Sequence, residues 1–182
     1  FYQTLNKVGA ETPDVKDAAY FGQAFMAVQD LIDQTWLLSG HDISSGGLVT
    51  ALLEMCFPST QIGLDIKLGR LEETDLVKAL FAENPGILIQ VEDDNAVESL
   101  LAEADVVYVE LASVNGSGVL TFEGKNLSLD VAEMRDVWYT SSYLLDRKQS
   151  GEELAKARFD NYKKQPPLHG FKLRSICGIT AK

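Results

Sequence analysis

Apolar positions recur along this chain with two periods, and the switches between them lay out its elements. Over residues 14–33, Val15, Ala18, Ala19, Phe25, Val28, Leu31 and Ile32 fall on one side of a helix whose start follows Pro13. Trp36-Leu37-Leu38 opens a buried strand, and Leu48, Ala51, Leu52 and Met55 then mark one face of a helix reaching Phe57. Residues 64–68 alternate apolar and polar as a strand, 73–81 predict a helix, and 86–91 form a short, continuously apolar strand. A helix over 95–104 and a strand over 106–112 follow, and the segments 119–123 and 126–129 flank Gly124 as a hairpin. The pattern over 131–145 is helical, with Trp138 and Tyr139 on its apolar side. A second helix over 152–162 is ended by Gln165-Pro166-Pro167. Helices interleaved with short strands predict an α/β fold of the α+β sandwich kind, a mixed sheet with helices on its faces.

The stretch Ser39-Gly40-His41-Asp42-Ile43-Ser44-Ser45-Gly46-Gly47-Leu48 carries the chemistry. An apolar run ends there in a carboxylate, two hydroxyls and two glycines before the helical pattern begins, so the polar residues sit at a strand-to-helix junction. Glycines there let backbone N–H groups approach a ligand, and a helix N-terminus offers unpaired donors and partial positive charge. Asp42 suits Mg²⁺, a hard cation bound by carboxylate, water and phosphate oxygens. The same residues have a plainer use, in which Ser44 or Ser45 caps the helix and Asp42 turns the chain. Elsewhere, His41 reads as hydrogen-bonded scaffold and Glu54 as a surface residue within reach of a metal's outer shell. Glu92-Asp93-Asp94 reads as the N-cap and first-turn acids of the following helix. Trp138 and Tyr143 are packing residues, and His169 belongs to a solvated tail.

Composition adds limits. A chain of 182 residues with 46% hydrophobic content suffices for one compact domain with tails. The net charge of −11 argues against general nucleic-acid binding. Its distribution is uneven: from Arg147 onward nine Lys/Arg face three Asp/Glu, against seven and twenty-four before it. A basic tail thus follows an acidic body. No apolar run approaches the roughly 20 residues needed to cross a bilayer, so a cytoplasmic location with no membrane partner is the expectation. Cys56 and Cys177 lack CxxC or Cys/His metal spacing and read as reduced and inert. The chain opens at Phe1 without an initiator Met and reads as part of something longer.

His41-Asp42-Ile43-Ser44-Ser45-Gly46-Gly47-Leu48, with Ala51-Leu52-Leu53-Glu54-Met55 and Gly63-Leu64-Asp65-Ile66 after it, resembles the HD-x-SDGGL, LAEM and G-x-D-I pattern of the phosphoribosylformylglycinamidine synthase family. More narrowly, it resembles the last of four domains in that synthetase, a domain of the aminoimidazole ribonucleotide synthetase C-terminal type. Further along, the run from Leu80-Phe81 through Glu83 and Gly86 to Gln90-Val91 resembles the family's LF-x-E-x-x-G-x-x-x-QV stretch. Leu129-Asp130, Arg135, Trp138 and Thr140-Ser141-Ser142-Tyr143 resemble its L-x-x-LR-x-x-W-x-x-TSY helix. Four motifs stand in the family's order over most of the chain.

The resemblance implies an α/β sandwich partly like the ferredoxin fold, with residues 1–146 as the domain. Residues 147–182 would be a basic helical extension and linker towards a glutaminase domain. It implies an ATP-dependent carbon–nitrogen ligase of purine synthesis, in which ATP phosphorylates the amide oxygen of formylglycinamide ribonucleotide and glutamine-derived ammonia displaces the phosphate. By motif position Asp42 corresponds to a Mg²⁺ ligand and Ser44 to a nucleotide contact, with ATP or ADP as the nucleotide. Gly46 and Gly47 are then the close-approach residues of a phosphate-facing loop. Ser45 departs from the pattern, where the family has Asp, and removes a second acidic ligand. The partners implied are the synthetase's N-terminal-type domains and the glutaminase. The same domain type occurs in aminoimidazole ribonucleotide synthetase, selenophosphate synthetase, thiamine monophosphate kinase and hydrogenase maturation proteins, and a purely structural module braced by nucleotide is the non-enzymatic alternative.

Overall fold

The structure, a computed structural model, describes residues 1–9 and 14–164, so His169, Cys177 and Gln165-Pro166-Pro167 lie outside the described residues. The first helix, α1 (Ala18–Asp33), begins where the Asp17 carboxylate accepts from the N–H groups of Ala19 and Tyr20. Strand β1 (Leu37–Asp42) and helix α2 (Gly47–Cys56) follow, then β2 (Gly63–Ile66). Helix α3 (Leu76–Phe81) starts later than the sequence predicts, because Asp75 caps it by accepting from Val77 and Lys78. After β3 (Ile87–Val91), Asp93 caps α4 (Asp94–Glu103) in the same way, which is the role the acidic run predicts. Strands β4 (Ala112–Asn115), β5 (Val119–Phe122) and β6 (Ser128–Asp130) lead into α5 (Val131–Ser150) and α6 (Glu152–Asn161).

The strands form two sheets. β1 and β3 pair antiparallel, and β4-β2-β5-β6 form a mixed sheet in which only β2 and β5 run parallel. The predicted hairpin is β5–β6, with Val119 opposite Asp130. The strand predicted over 106–112 is displaced: the ladder to β2 pairs Ile66 with Ala112 and Gly63 with Asn115. Residues 106–111 instead carry the chain from α4 to that ladder. There Val106 N–H donates to Leu101 O, Val107 N–H to the Tyr20 hydroxyl, and Leu111 O accepts from Lys67. Apolar content alone therefore placed a strand several residues too early.

Phe1–Arg135 forms one compact unit and Asp136–Lys182 a second. In the first, two apolar clusters hold the layers together. Leu48, Leu52 and Cys56 of α2 and Leu80 of α3 pack on Leu64, Ile66, Leu120 and Phe122, the inward face of the mixed sheet. Ala27 and Leu31 of α1 meet Val97 and Leu101 of α4 over Leu37, Ile89 and Val91. The helices thus sit on sheet faces as the binary pattern requires. Burial pushes the Cys56 thiol up to about 11, so it is a small core residue and not a nucleophile. In the second unit α5 and α6 form a helical hairpin that turns at Gly151, at φ +83°. Tyr143 stacks on Phe159 and Tyr139 on Tyr162, at 4.8 and 3.9 Å between ring centroids. The basic residues here pair locally: Arg158 clasps Asp146, Arg147 meets Glu152, and Lys156 meets Asp160.

Candidate functional site

Strand alternation decides which way the residues before the loop face. His41 turns to α2, where its Nε2 lies 3.1 Å from Glu54 Oε2, and its Nδ1 is 2.7 Å from its neighbour's carbonyl, Asp42 O. Both side chains are about three-quarters covered, so Glu54 is a packed partner of His41 and not the surface residue its sequence context suggests. Asp42 is 77% exposed at its side chain, with Oδ1 3.8 Å from His41 Nδ1, and still lies within the β1–β3 ladder opposite Ile87. Ser44 and Ser45 are exposed beyond it.

Neither serine caps α2. Gly46 occupies the cap position at φ +90° with no side-chain cap, and Gly47 follows at φ +73°, two left-handed residues that non-glycine side chains rarely adopt. A Cβ on Gly47 would stand 2.7 Å from the Phe81 carbonyl carbon and 2.8 Å from Leu80 O. The glycines are therefore demanded by the turn and by its seat against the end of α3. Their amides are also engaged within the chain: Gly46 N–H donates to Glu83 Oε1 at 2.9 Å, and Gly47 N–H to Ser44 O at 2.9 Å.

The seat is a single segment. Ile43 N–H donates to Gly86 O at 2.8 Å, Gly86 abuts the Ile43 side chain, Glu83 holds Gly46, and the Leu80-Phe81 backbone receives Gly47. Residues 80–86 thus run beneath the loop from β1 to α2 and fix it at three points. Glu83 is the functional candidate that sequence reasoning passed over. It stands in the LF-x-E-x-x-G stretch, but no periodicity connects it to a glycine 37 residues earlier. At the far end of α2, the Arg135 guanidinium donates to Phe57 O at 3.0 Å, where a cation complements the helix terminus.

As a cation site the loop offers one carboxylate. No group of three or more His, Cys, Asp and Glu side chains that could hold a metal occurs among the described residues. An exposed Asp42, its Oδ1 3.8 Å from His41 Nδ1, still fits Mg²⁺, which keeps several waters and is held by one or two carboxylates plus phosphate. A groove of about 480 Å³ lies elsewhere, along Val106 to Glu110 beside Arg70 and Glu98. Among the described residues no helix is long and apolar enough to cross a membrane.

Residues 4–125 match the family model described as AIR synthase related protein, C-terminal domain. The chain belongs to that family. Curated relatives of this AIR synthase-related domain include the human phosphoribosylformylglycinamidine synthase, 32% identical over 164 residues that make up 81% of this chain and 12% of the relative. A probable phosphoribosylformylglycinamidine synthase, chloroplastic/mitochondrial, of Arabidopsis thaliana is 31% identical over 153 residues, 81% of this chain and 11% of the relative. The domain thus spans about an eighth of the curated relatives it matches. Among solved structures, phosphoribosylformylglycinamidine synthase II of Thermotoga maritima superposes with a TM-score of 0.53 at 17% identity, over 60% of this chain and 20% of that one. T. maritima PurL complexed with ADP gives 0.51 at 18% identity, with the same coverages. These structural likenesses show the AIR synthase-like α/β fold.

Proposed function

We propose that this chain is a segment of a phosphoribosylformylglycinamidine synthase, an ATP-dependent carbon–nitrogen ligase of purine biosynthesis that takes ammonia from glutamine. Its part is a magnesium–nucleotide half-site built on the loop between β1 and α2. Asp42 is the metal ligand, Ser44 contacts the nucleotide, ATP or ADP, and Gly46 and Gly47 shape the loop. The observation that carries this reading is the exposure of Asp42 and Ser44 on a loop whose backbone is fixed from beneath. Rigid backbone under exposed polar side chains is what a binding constellation needs. The names of the human and Arabidopsis relatives support the reaction, and T. maritima PurL complexes with ATP and ADP support the ligand class.

Within that site Mg²⁺ would neutralise phosphate charge. The chain's own residues orient and hold: Asp42 supplies an anionic oxygen at the strand end and Ser44 a hydroxyl. His41 is occupied with Glu54 and takes no part in proton transfer. The remaining contacts come from further domains of the same polypeptide and a glutaminase domain. We assign residues 1–146 to the family domain and 147–182 to an extension leading towards that glutaminase. Phe21, Phe25 and Ile32 on α1 and Val137, Leu144 and Leu145 on α5 leave apolar side chains exposed, surface of the kind that neighbouring domains cover.

Asp42→Asn in the complete polypeptide tests the assignment, because it keeps size and hydrogen bonding and removes the charge. Calorimetric titration with Mg-ADP is expected to show at least tenfold weaker binding. Turnover falling by orders of magnitude with little change in melting temperature identifies a catalytic nucleotide. Loss of co-purifying ADP and of thermal stability with near-normal turnover identifies a structural one. Unchanged binding, stability and turnover together would reduce Asp42 to a turn residue.

A further inference from the structure

We infer that Glu83 is the positioning residue of the nucleotide loop, resting on the half-site reading above. Its carboxylate leaves the segment between α3 and β3, crosses to the loop, and accepts the Gly46 N–H at 2.9 Å. Three features make this contact more than an incidental surface bond. α2 has no side-chain cap from its own sequence, and Glu83, 37 residues away, holds the N–H of the cap residue Gly46 itself, a different donor from the first-turn amides that Asp17, Asp75 and Asp93 satisfy for α1, α3 and α4. Gly46 lies in the left-handed region, where the backbone has alternatives of similar energy unless something holds it. The neighbouring fixed points, Ile43 on Gly86 and Gly47 on Leu80 and Phe81, belong to the same segment. Between those two contacts the turn is held from within by Gly47 N–H on Ser44 O and by the Thr50 hydroxyl on Gly46 O, and Glu83 adds a tie to Gly46 from outside it.

Positioning and competition make opposite predictions. A carboxylate at a helix N-terminus satisfies a donor that a phosphate would otherwise take, and a competitor's removal tightens binding. The geometry points to positioning, because the Gly46 amide is turned towards the α3 side of the loop, while the exposed Asp42 and Ser44 are the groups offered to solvent. Removing Glu83 frees the turn, and Asp42 and Ser44 lose their fixed spacing.

The test compares Glu83→Ala, Glu83→Met and Glu83→Gln in the complete polypeptide, with Asp42→Asn as the reference, by Mg-ADP titration, melting temperature and hydrogen exchange at the Gly46 amide. Glutamine keeps an oxygen that accepts from Gly46; methionine keeps the length without one. Alanine and methionine are expected to weaken Mg-ADP binding at least tenfold and to speed Gly46 exchange, with little change in melting temperature. Glutamine is expected to stay within about threefold of the wild type. Tighter binding by Glu83→Ala, or unchanged binding and exchange, overturns the inference, and so does a glutamine variant as weak as alanine. If alanine fails to fold, the methionine and glutamine pair decides. Should Asp42→Asn leave binding untouched while Glu83→Met still speeds Gly46 exchange, the half-site reading fails and Glu83 stands only as the holder of the turn.

Discussion

Gly47 has two independent reasons to lack a side chain, and either one alone is enough to make substitution costly. Its φ of +73° disfavours any Cβ, and that Cβ would meet the Leu80-Phe81 backbone at under 3 Å, atoms that cannot swing aside as a side chain end can. Gly47→Ala is therefore expected to destabilise the first unit by about 2 kcal/mol or more, read as a lowered midpoint in urea. Gly124, equally left-handed but with open space around its Cβ position, separates the two causes: Gly124→Ala carries backbone strain alone, on the order of 1 kcal/mol. A loss at Gly47 no larger than at Gly124 would show that the contact with α3 yields easily. The turn and its seat against α3 are thus enough to require glycine at position 47.

Among the elements, β2 shows how one strand serves two faces. Leu64 and Ile66 enter the core while Asp65 stands on the outer face. There its carboxylate accepts from Thr121 Oγ1 at 2.7 Å and Asn115 Nδ2 at 2.8 Å, one donor from each neighbouring strand. The hydrogen bonds from Thr121 and then Asn115 hold the Asp65 carboxyl below the usual carboxylate range. Its contribution is complete above the ordinary value of 3.8 and disappears as pH falls through the lowered one. Acid titration of stability is expected to be shallower below that value in Asp65→Asn than in the wild type, and identical slopes would show that the ladder adds nothing. The sequence was legible wherever an element's cause lies within it. Asp93 capping α4 and the Gly124 hairpin are local signals and both stand as read. Residues 106–111 misled because β-branched and apolar character specifies extended backbone without naming a partner. Asp42 and Ser44 were visible as motif positions, while the bonds from Glu83 and Glu54 were not, since each joins segments distant in sequence.

At the scale of the whole molecule, the chain spans a small part of the relatives it matches. It covers 12% of the human relative, and on the reading proposed above Asp42 and Ser44 are one part of a site completed by other domains. The isolated chain, given formylglycinamide ribonucleotide, Mg-ATP and ammonium, is accordingly expected to form no ADP above background. Measurable turnover would mean that the described residues contain a catalytic centre other than this loop. In the second unit Arg147, Lys156 and Arg158 pair with Glu152, Asp160 and Asp146 of the same helical hairpin.

The single parallel pairing, Leu64 beside Leu120 and Ile66 beside Phe122, has a consequence for how the chain reaches this state. Those partners lie more than fifty residues apart, and closing a loop of that length costs on the order of 3–4 kcal/mol of chain entropy before the strands repay it. The β5–β6 hairpin closes over only a few residues and is expected to form first. The core between α2 and the mixed sheet must wait for β5 to arrive. During synthesis, α2 and β2 therefore leave the ribosome with their apolar faces unsatisfied until Phe122 has followed, an interval in which this domain is most exposed to aggregation and to chaperones.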